Sequence, residues 1–184
     1  PPGLPGLLAG LAAPVQAGPA WAGLSVTMPH KQALLAHLDV IDPLAEAVGA
    51  VNTVVAQRSG AGDALLTGFN TDVAGIVGAL REAARTQTPG SSDAHLRIEQ
   101  AVVLGSGATA CSALAALGEL RAGRITVVAR RHAGPGRALS AAHRMGLDIE
   151  PFTWKPADLT SNTEVAQRLA AADVVISTLP APAA

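Results

Sequence analysis

The sequence predicts an α/β protein, and three observations carry that reading. Short apolar runs of strand type alternate with helical patterns of about 9–13 residues, the rhythm of β-α-β crossovers and a parallel sheet. A glycine-rich turn, "GSGATA" from Gly105, stands between one such strand and the next helix. A stretch of Pro, Gly, Ser and Thr without apolar periodicity, residues 86–97, reads as a linker between two α/β halves, 1–85 and 98–184.

Residues 1–20 are apolar, but prolines and glycines interrupt them and no basic region precedes them. They read as a loop or a weak helix, and neither as a membrane span nor as a secretory signal. In the first half the expected elements are strand 24–27 ("LSVT"), helix 31–38, helix 43–48 with Pro43 opening it, and strand 53–57 ("TVVAQ"). The glycine turn "SGAGD" then leads to strand 65–68 and helix 73–85. In the second half "QAVVL" (100–104) is a strand and 108–120 a helix, followed by strand 124–129 ("RITVVA") and a helix over 136–146 that ends at a glycine. A weak strand at 149–152, a helix over 163–171 and a strand over 173–178 ("DVVIST") complete the pattern. The chain begins at Pro1 rather than methionine and stops just past a strand, so it reads as a piece of a longer protein.

Composition narrows the function. With 13 Lys and Arg against 14 Asp and Glu, the chain has no electrostatic footprint for nucleic acid or an anionic membrane. Aromatics are 2% with no tyrosine, too few for a base-stacking surface. A single cysteine, Cys111, cannot form an internal disulfide and suits a reducing cytoplasm; small-residue packing near a helix start is its expected role. The five histidines lack ligand spacing, so no metal is expected. Trp21 and Trp154 read as packing residues.

The glycine turn carries the first functional signal. Gly105, Gly107 and Ala110 follow the G-x-G-x-x-G/A spacing of dinucleotide-binding turns: a tight bend, close backbone approach to a pyrophosphate, and close helix–strand packing. The amides at the start of the following helix would face that anion. A NAD-selective site wants a carboxylate at the end of the next strand, roughly 20 residues on. Here "ITVVARRH" ends on Arg130 and Arg131 instead. Two guanidinium groups suit a 2′-phosphate, so NADP is the expected cofactor.

The second signal is polar. "SVTMPHK" (Ser25, Thr27, Lys31), "GAVNTVV" (Asn52, Thr53) and "GFNTDVAG" (Asn70, Thr71, Asp72) place hydroxyls, amides, one ammonium and one carboxylate where apolar strands end. Taken singly, Asn-Thr and Asn-Thr-Asp are turn and cap material, and Asp72 could cap the helix that follows it. If the strands are parallel, their carboxyl ends share one rim of a sheet, where α/β proteins bind ligands. Such a rim suits a polyhydroxylated small molecule.

In this order, "GLSVTMPHK", "GAVNT" and "GFNTDVAG", followed by the glycine turn and "ITVVARR", resemble the shikimate dehydrogenase family over about residues 21–179. The resemblance implies an NADP-dependent oxidoreductase of aromatic amino-acid biosynthesis that interconverts 3-dehydroshikimate and shikimate. It implies an α/β substrate-binding domain followed by a Rossmann-type nucleotide-binding domain, both incomplete here, with the active site in the cleft between them. Lys31 matches the family's catalytic lysine and Asp72 its paired aspartate, whereas Thr27, Asn52 and Thr71 match positions that hold the substrate's hydroxyls and carboxylate. Gly105, Ser106, Gly107 and Ala108 fall on the phosphate-binding turn, and Ala129, Arg130 and Arg131 on the segment that reads the 2′-phosphate. The chain departs from the family pattern in three places: Ser25 replaces an asparagine, Ala108 a glycine, and Ala129 an asparagine. An N-terminal Ser-x-Ser motif and a C-terminal segment with a substrate-binding glutamine have no counterpart. A non-catalytic NADP-binding relative and a quinate/shikimate dehydrogenase of broader specificity are the alternatives.

Overall fold

The computed structural model describes residues 3–15, 20–87 and 96–180. They form two compact units, 1–71 and 72–184. The division falls at the start of a helix, Asp72–Gln87 (α3), which packs on α4 (Ala108–Glu119) within the second unit. Most of the expected linker, residues 88–95, lies outside the described residues.

The first unit opens with α1, Leu4–Ala12, a helix where the sequence suggested at most a weak one. Leu4, Leu8 and Leu11 share one face and are buried against Leu34, Val51, Val54 and Leu66. No basic side chain stands in its last turn. A distant one does that work: the Arg58 guanidinium donates to the carbonyls of Leu11, Ala12 and Ala13 at 2.7, 3.3 and 2.9 Å. Trp21 corrects the packing expectation, because it is 63% exposed beside this helix. Trp154 fits it: packed beside Val102, Val128 and Val165, it donates from Nε1 to Asn162 Oδ1 at 2.8 Å.

Strands β1 (Gly23–Ser25), β2 (Val40–Ile41), β3 (Thr53–Gln57) and β4 (Leu65–Phe69) form one sheet in the order β1-β3-β4-β2. The sheet is mixed, which corrects the parallel expectation for this half. β3 runs antiparallel to both β1 and β4, and only the β2–β4 pair is parallel. The reason is the short connection 58–64, which allows a hairpin and leaves no length for a crossover helix. Gly23 is fixed by close approach, since a Cβ there would run into the backbone carbonyl of Val54.

The helix expected over 31–38 is a turn at 28–32 followed by a 3₁₀ helix, Ala33–His37. An α-helix starting at Lys31 would need the Lys31 carbonyl for Leu35. That carbonyl instead accepts from Val51 N–H at 2.8 Å, and Leu35 N–H turns to Gln32 O. The peptide bond Met28–Pro29 in the turn is cis. Helix α2, Pro43–Val48, has the bounds the sequence predicts. Asp42 Oδ1 accepts from Leu44 and Ala45 N–H at 3.0 and 3.3 Å, and Gly49 closes the helix in the left-handed conformation.

The second unit has the parallel β-α-β pattern expected of it. Strands β5 (Gln100–Leu104), β6 (Arg124–Ala129), β7 (Glu150–Thr153) and β8 (Val174–Ser177) are all parallel, in the order β7-β6-β5-β8. On one face Ala101, Val103 and Val127 meet Ala110, Ala113, Leu114 and Leu117 of α4 and Ala138 and Ala142 of α5 (Ala138–Met145). On the other, Val102 and Val128 meet Val165 of α6 (Leu159–Ala170). Burial on both faces explains why β5 and β6 read as continuous apolar runs. Helix α6 starts four residues earlier than expected because Asp158 Oδ1 caps Thr160 and Ser161 N–H at 2.9 and 3.4 Å. No described helix is long and apolar enough to cross a membrane.

Candidate active site

In the first unit the polar motifs meet on one rim of the mixed sheet. The register pairs Ser25 with Thr53 and Thr53 with Phe69, so the ends of β1 and β4 lie beside the start of β3. Each motif adjoins one of these strand ends.

Asn52 is the centre of this rim and is 9% exposed. Its backbone is held on both sides: Asn52 N–H donates to Phe69 O at 3.0 Å, and its carbonyl accepts from Val26 N–H at 2.6 Å. Its side chain ties the third motif to the second. Thr71 N–H donates to Asn52 Oδ1 at 2.9 Å, which identifies that atom as the amide oxygen because a backbone N–H needs an acceptor. Thr53 Oγ1 donates to the same oxygen at 3.0 Å, and the Thr71 hydroxyl lies 3.0 Å from Nδ2 and 3.1 Å from Oδ1. Asn70, buried next door, donates from Nδ2 to Ala50 O at 2.9 Å and anchors the same turn.

Lys31 enters through the backbone. Its carbonyl accepts from Val51 N–H, one residue before Asn52, which fixes the turn carrying the lysine to the rim. The lysine is half-buried, whereas the Ser25 and Thr27 residues are exposed. Asp72 follows Thr71 by one peptide bond and is the first residue of α3, where a carboxylate also favours the helix dipole.

In the second unit the turn Gly105–Ala108 joins β5 to α4. Gly105 has φ 108°, in the left-handed region, and a Cβ on it would strike Thr178 Oγ1, which itself donates to Leu104 O at 2.8 Å. Sequence reasoning missed Thr178, whose only sequence signal was its place at the end of a parallel strand. Gly107 caps α4 with open space where a Cβ would stand, the clearance a pyrophosphate needs at a helix N-terminus. Ala108 is already the first helical residue, so alanine replaces the family's glycine there without backbone strain.

β6 is parallel to β5, so its carboxyl end shares an edge with the glycine turn. Ala129 closes β6 with its side chain buried, and Arg130 and Arg131 follow, both exposed. Among the described residues neither Arg130 nor Arg131 forms an ion pair, and residues 130–137 hold no carboxylate. Such guanidinium groups beside an open glycine turn fit NADP. Cys111, fully buried, has its thiol pushed up to about 11 by desolvation, against the opposing effects of the Arg144 guanidinium, its own backbone hydrogen bond and Arg137. It is a packing residue. Among the described residues no group of three or more His, Cys, Asp or Glu could hold a metal ion.

Comparison with known proteins finds relatives along most of the chain. The pattern of the shikimate dehydrogenase substrate-binding domain matches residues 8–54. A shikimate dehydrogenase (NADP(+)) of Citrifermentans bemidjiense is 42% identical over 134 residues, which are 73% of this chain and 41% of that protein. The crystal structure of a shikimate 5-dehydrogenase from Mycobacterium fortuitum is 37% identical with a TM-score of 0.63, over 98% of this chain and 56% of the other. That of the Thermus thermophilus enzyme, in complex with NADP(H) and shikimate, is 36% identical with a TM-score of 0.58, over 80% of this chain and 47% of the other. The chain therefore spans about half the length of the relatives it matches. By its motifs, its two α/β units and these relatives, the chain belongs to the shikimate dehydrogenase family.

Proposed function

We propose that the protein is an NADP-dependent oxidoreductase that interconverts 3-dehydroshikimate and shikimate in the cytoplasm, with no metal ion. The observation that carries this reading is the joining of three separated motifs on one rim. Lys31 is fixed through Val51, Asn52 clamps Thr71, and Asp72 follows Thr71 in the chain. The relatives' names and the Thermus thermophilus complex support the substrate and the cofactor.

Bound at Gly105–Ala108 and at Arg130 and Arg131, NADP supplies the two-electron redox chemistry at its nicotinamide ring. The protein's own residues handle everything else. Ser25, Thr27, Asn52 and Thr71 hold the ring hydroxyls and carboxylate, with the Asn52 amide preset by its bonds to Thr71 and Thr53. The proton of the reacting hydroxyl must leave when shikimate is oxidised and return when the ketone is reduced. Lys31 carries that proton or stabilises the negative oxygen formed without it, and Asp72 orients the lysine.

Steady-state kinetics of the intact protein with shikimate and NADP test this reading. Lys31→Ala should lower kcat by roughly 10²–10⁴ while KM for shikimate changes far less, because the ammonium matters most as charge develops on oxygen. Lys31→Arg should restore little, since a guanidinium keeps its proton. A Lys31→Ala variant with a raised KM and an intact kcat would make Lys31 a binding residue and remove it from the chemistry.

A further inference from the structure

The phosphate turn and the arginine-bearing loop are joined by one residue. Ser106 is 5% exposed, and its hydroxyl donates to the Arg131 carbonyl at 2.6 Å. The same oxygen accepts from Arg137 Nη1 at 3.3 Å. The Ser106 carbonyl accepts from Ala138 N–H at 3.1 Å, at the first residue of α5. A single turn residue thus grips the 131–137 loop at its start and at its end. Cys111 reinforces the far side, its Sγ lying 3.7 Å from Gly136 O as a weak donor. Inside the loop Gly134 O accepts from Arg137 N–H and from Ser140 Oγ, so the segment is built rather than loose.

A serine in a glycine-rich turn is ordinarily read as a phosphate ligand. Here the hydroxyl proton is already committed to Arg131 O, and one lone pair to Arg137. The bond to the Arg131 carbonyl fixes the backbone that carries both exposed guanidinium groups of Arg130 and Arg131. Long, exposed arginines lose conformational freedom when they order around an anion, and a backbone already held in place reduces that loss.

We infer that Ser106 is a positioning residue for cofactor choice: its hydroxyl presets the 131–137 loop so that Arg130 and Arg131 favour a dinucleotide bearing a 2′-phosphate. The inference rests on the NADP reading above. Removing the hydroxyl leaves the Ala138 N–H to Ser106 O bond in place, so the turn and α5 stay together while the start of the loop is released. NADP affinity should then fall about tenfold, the loss of roughly one charge-linked hydrogen bond, while NAD affinity changes about twofold or less.

The experiment is calorimetric titration of the intact protein with NADP and, separately, with NAD, for wild type, Ser106→Ala and Ser106→Thr. Ser106→Ala should lower the NADP-over-NAD affinity ratio, and Ser106→Thr, which retains a hydroxyl, should restore it. Equal weakening of both dinucleotides would mean that Ser106 only supports the turn, and the inference fails while the NADP reading stands. Should the alanine variant not fold, Ser106→Cys, with a weaker donor in the same space, is judged by the same ratio. A wild-type protein that does not prefer NADP overturns the cofactor reading, and this inference with it.

Discussion

Asn52 gives the most direct access to the rim, because its side chain supplies an acceptor to one backbone N–H and one hydroxyl at once. Asn52→Ala removes the acceptor of Thr71 N–H, 2.9 Å away. The two threonine hydroxyls can turn to water, since Thr71 is exposed and Thr53 half-buried, so most of the cost comes from the backbone donor. One lost hydrogen bond at a partly buried N–H is worth about 1–2 kcal/mol. Asn52→Asp keeps an oxygen facing that N–H and should cost less than half as much, while it removes the Nδ2 donor and adds a negative charge at the proposed shikimate site. Urea denaturation should therefore rank wild type and Asn52→Asp above Asn52→Ala, and hydrogen exchange at Thr71 should quicken only in the alanine variant. Shikimate binding should weaken in both, by tenfold or more on the loss of about one well-placed hydrogen bond to substrate. Wild-type stability and exchange in Asn52→Ala would refute the clamp. Unchanged shikimate binding in Asn52→Asp would show that the amide nitrogen does not face the ligand.

Two further outcomes follow from the packing. Arg58→Ala strips the carbonyls of Leu11, Ala12 and Ala13 of their donor, so the unfolding of α1 should become easier by about 1–3 kcal/mol, with Arg58→Lys recovering only part; protection of α1 amides unaffected in Arg58→Ala would sink that assignment. The Cys111 thiol is raised from 9.0 to about 11, so above pH 9 the unfolded chain loses its proton first and stability falls with pH until about pH 11. That loss, on the order of 2 kcal/mol, should be absent from Cys111→Ala, and identical slopes for the two proteins between pH 9 and 11 would contradict it.

The order of strands along the second unit and its glycine turn are legible because their signals are local, although Asp158 starts α6 four residues before the apolar pattern does. β5 and β6 are apolar runs bounded by polar or charged residues, and the turn at Gly105 lies where strand and helix meet. The first unit was less legible where a distant group decides. Pro14 marks the end of α1 locally, by holding Ala13 extended, but the guanidinium that satisfies the last carbonyls is Arg58, brought over by tertiary packing. The leucine pattern after Lys31 predicts an α-helix, and the tertiary bond from Val51 to the Lys31 carbonyl makes it 3₁₀. Ser106 gave no sign of its second partner, because Arg137 lies across a loop containing two left-handed glycines, Gly134 and Gly136.

The rim forms in a topology unlike the all-parallel one the sequence suggests. Parallel strands were expected to bring three carboxyl ends together, yet β3 runs the other way and contributes its amino end. The residues still gather, because Asn-Thr and Asn-Thr-Asp are boundary chemistry: short polar side chains that satisfy backbone groups just outside a strand, whichever end they occupy. Antiparallel pairing sets the start of one strand beside the end of the next, so "AVNT" before β3 and "FNTD" after β4 become neighbours through the Thr53–Phe69 pair. Polar residues at strand boundaries thus marked the edge of the sheet without revealing strand direction. Direction was carried by the connection, a short glycine turn between β3 and β4 that permits only a hairpin.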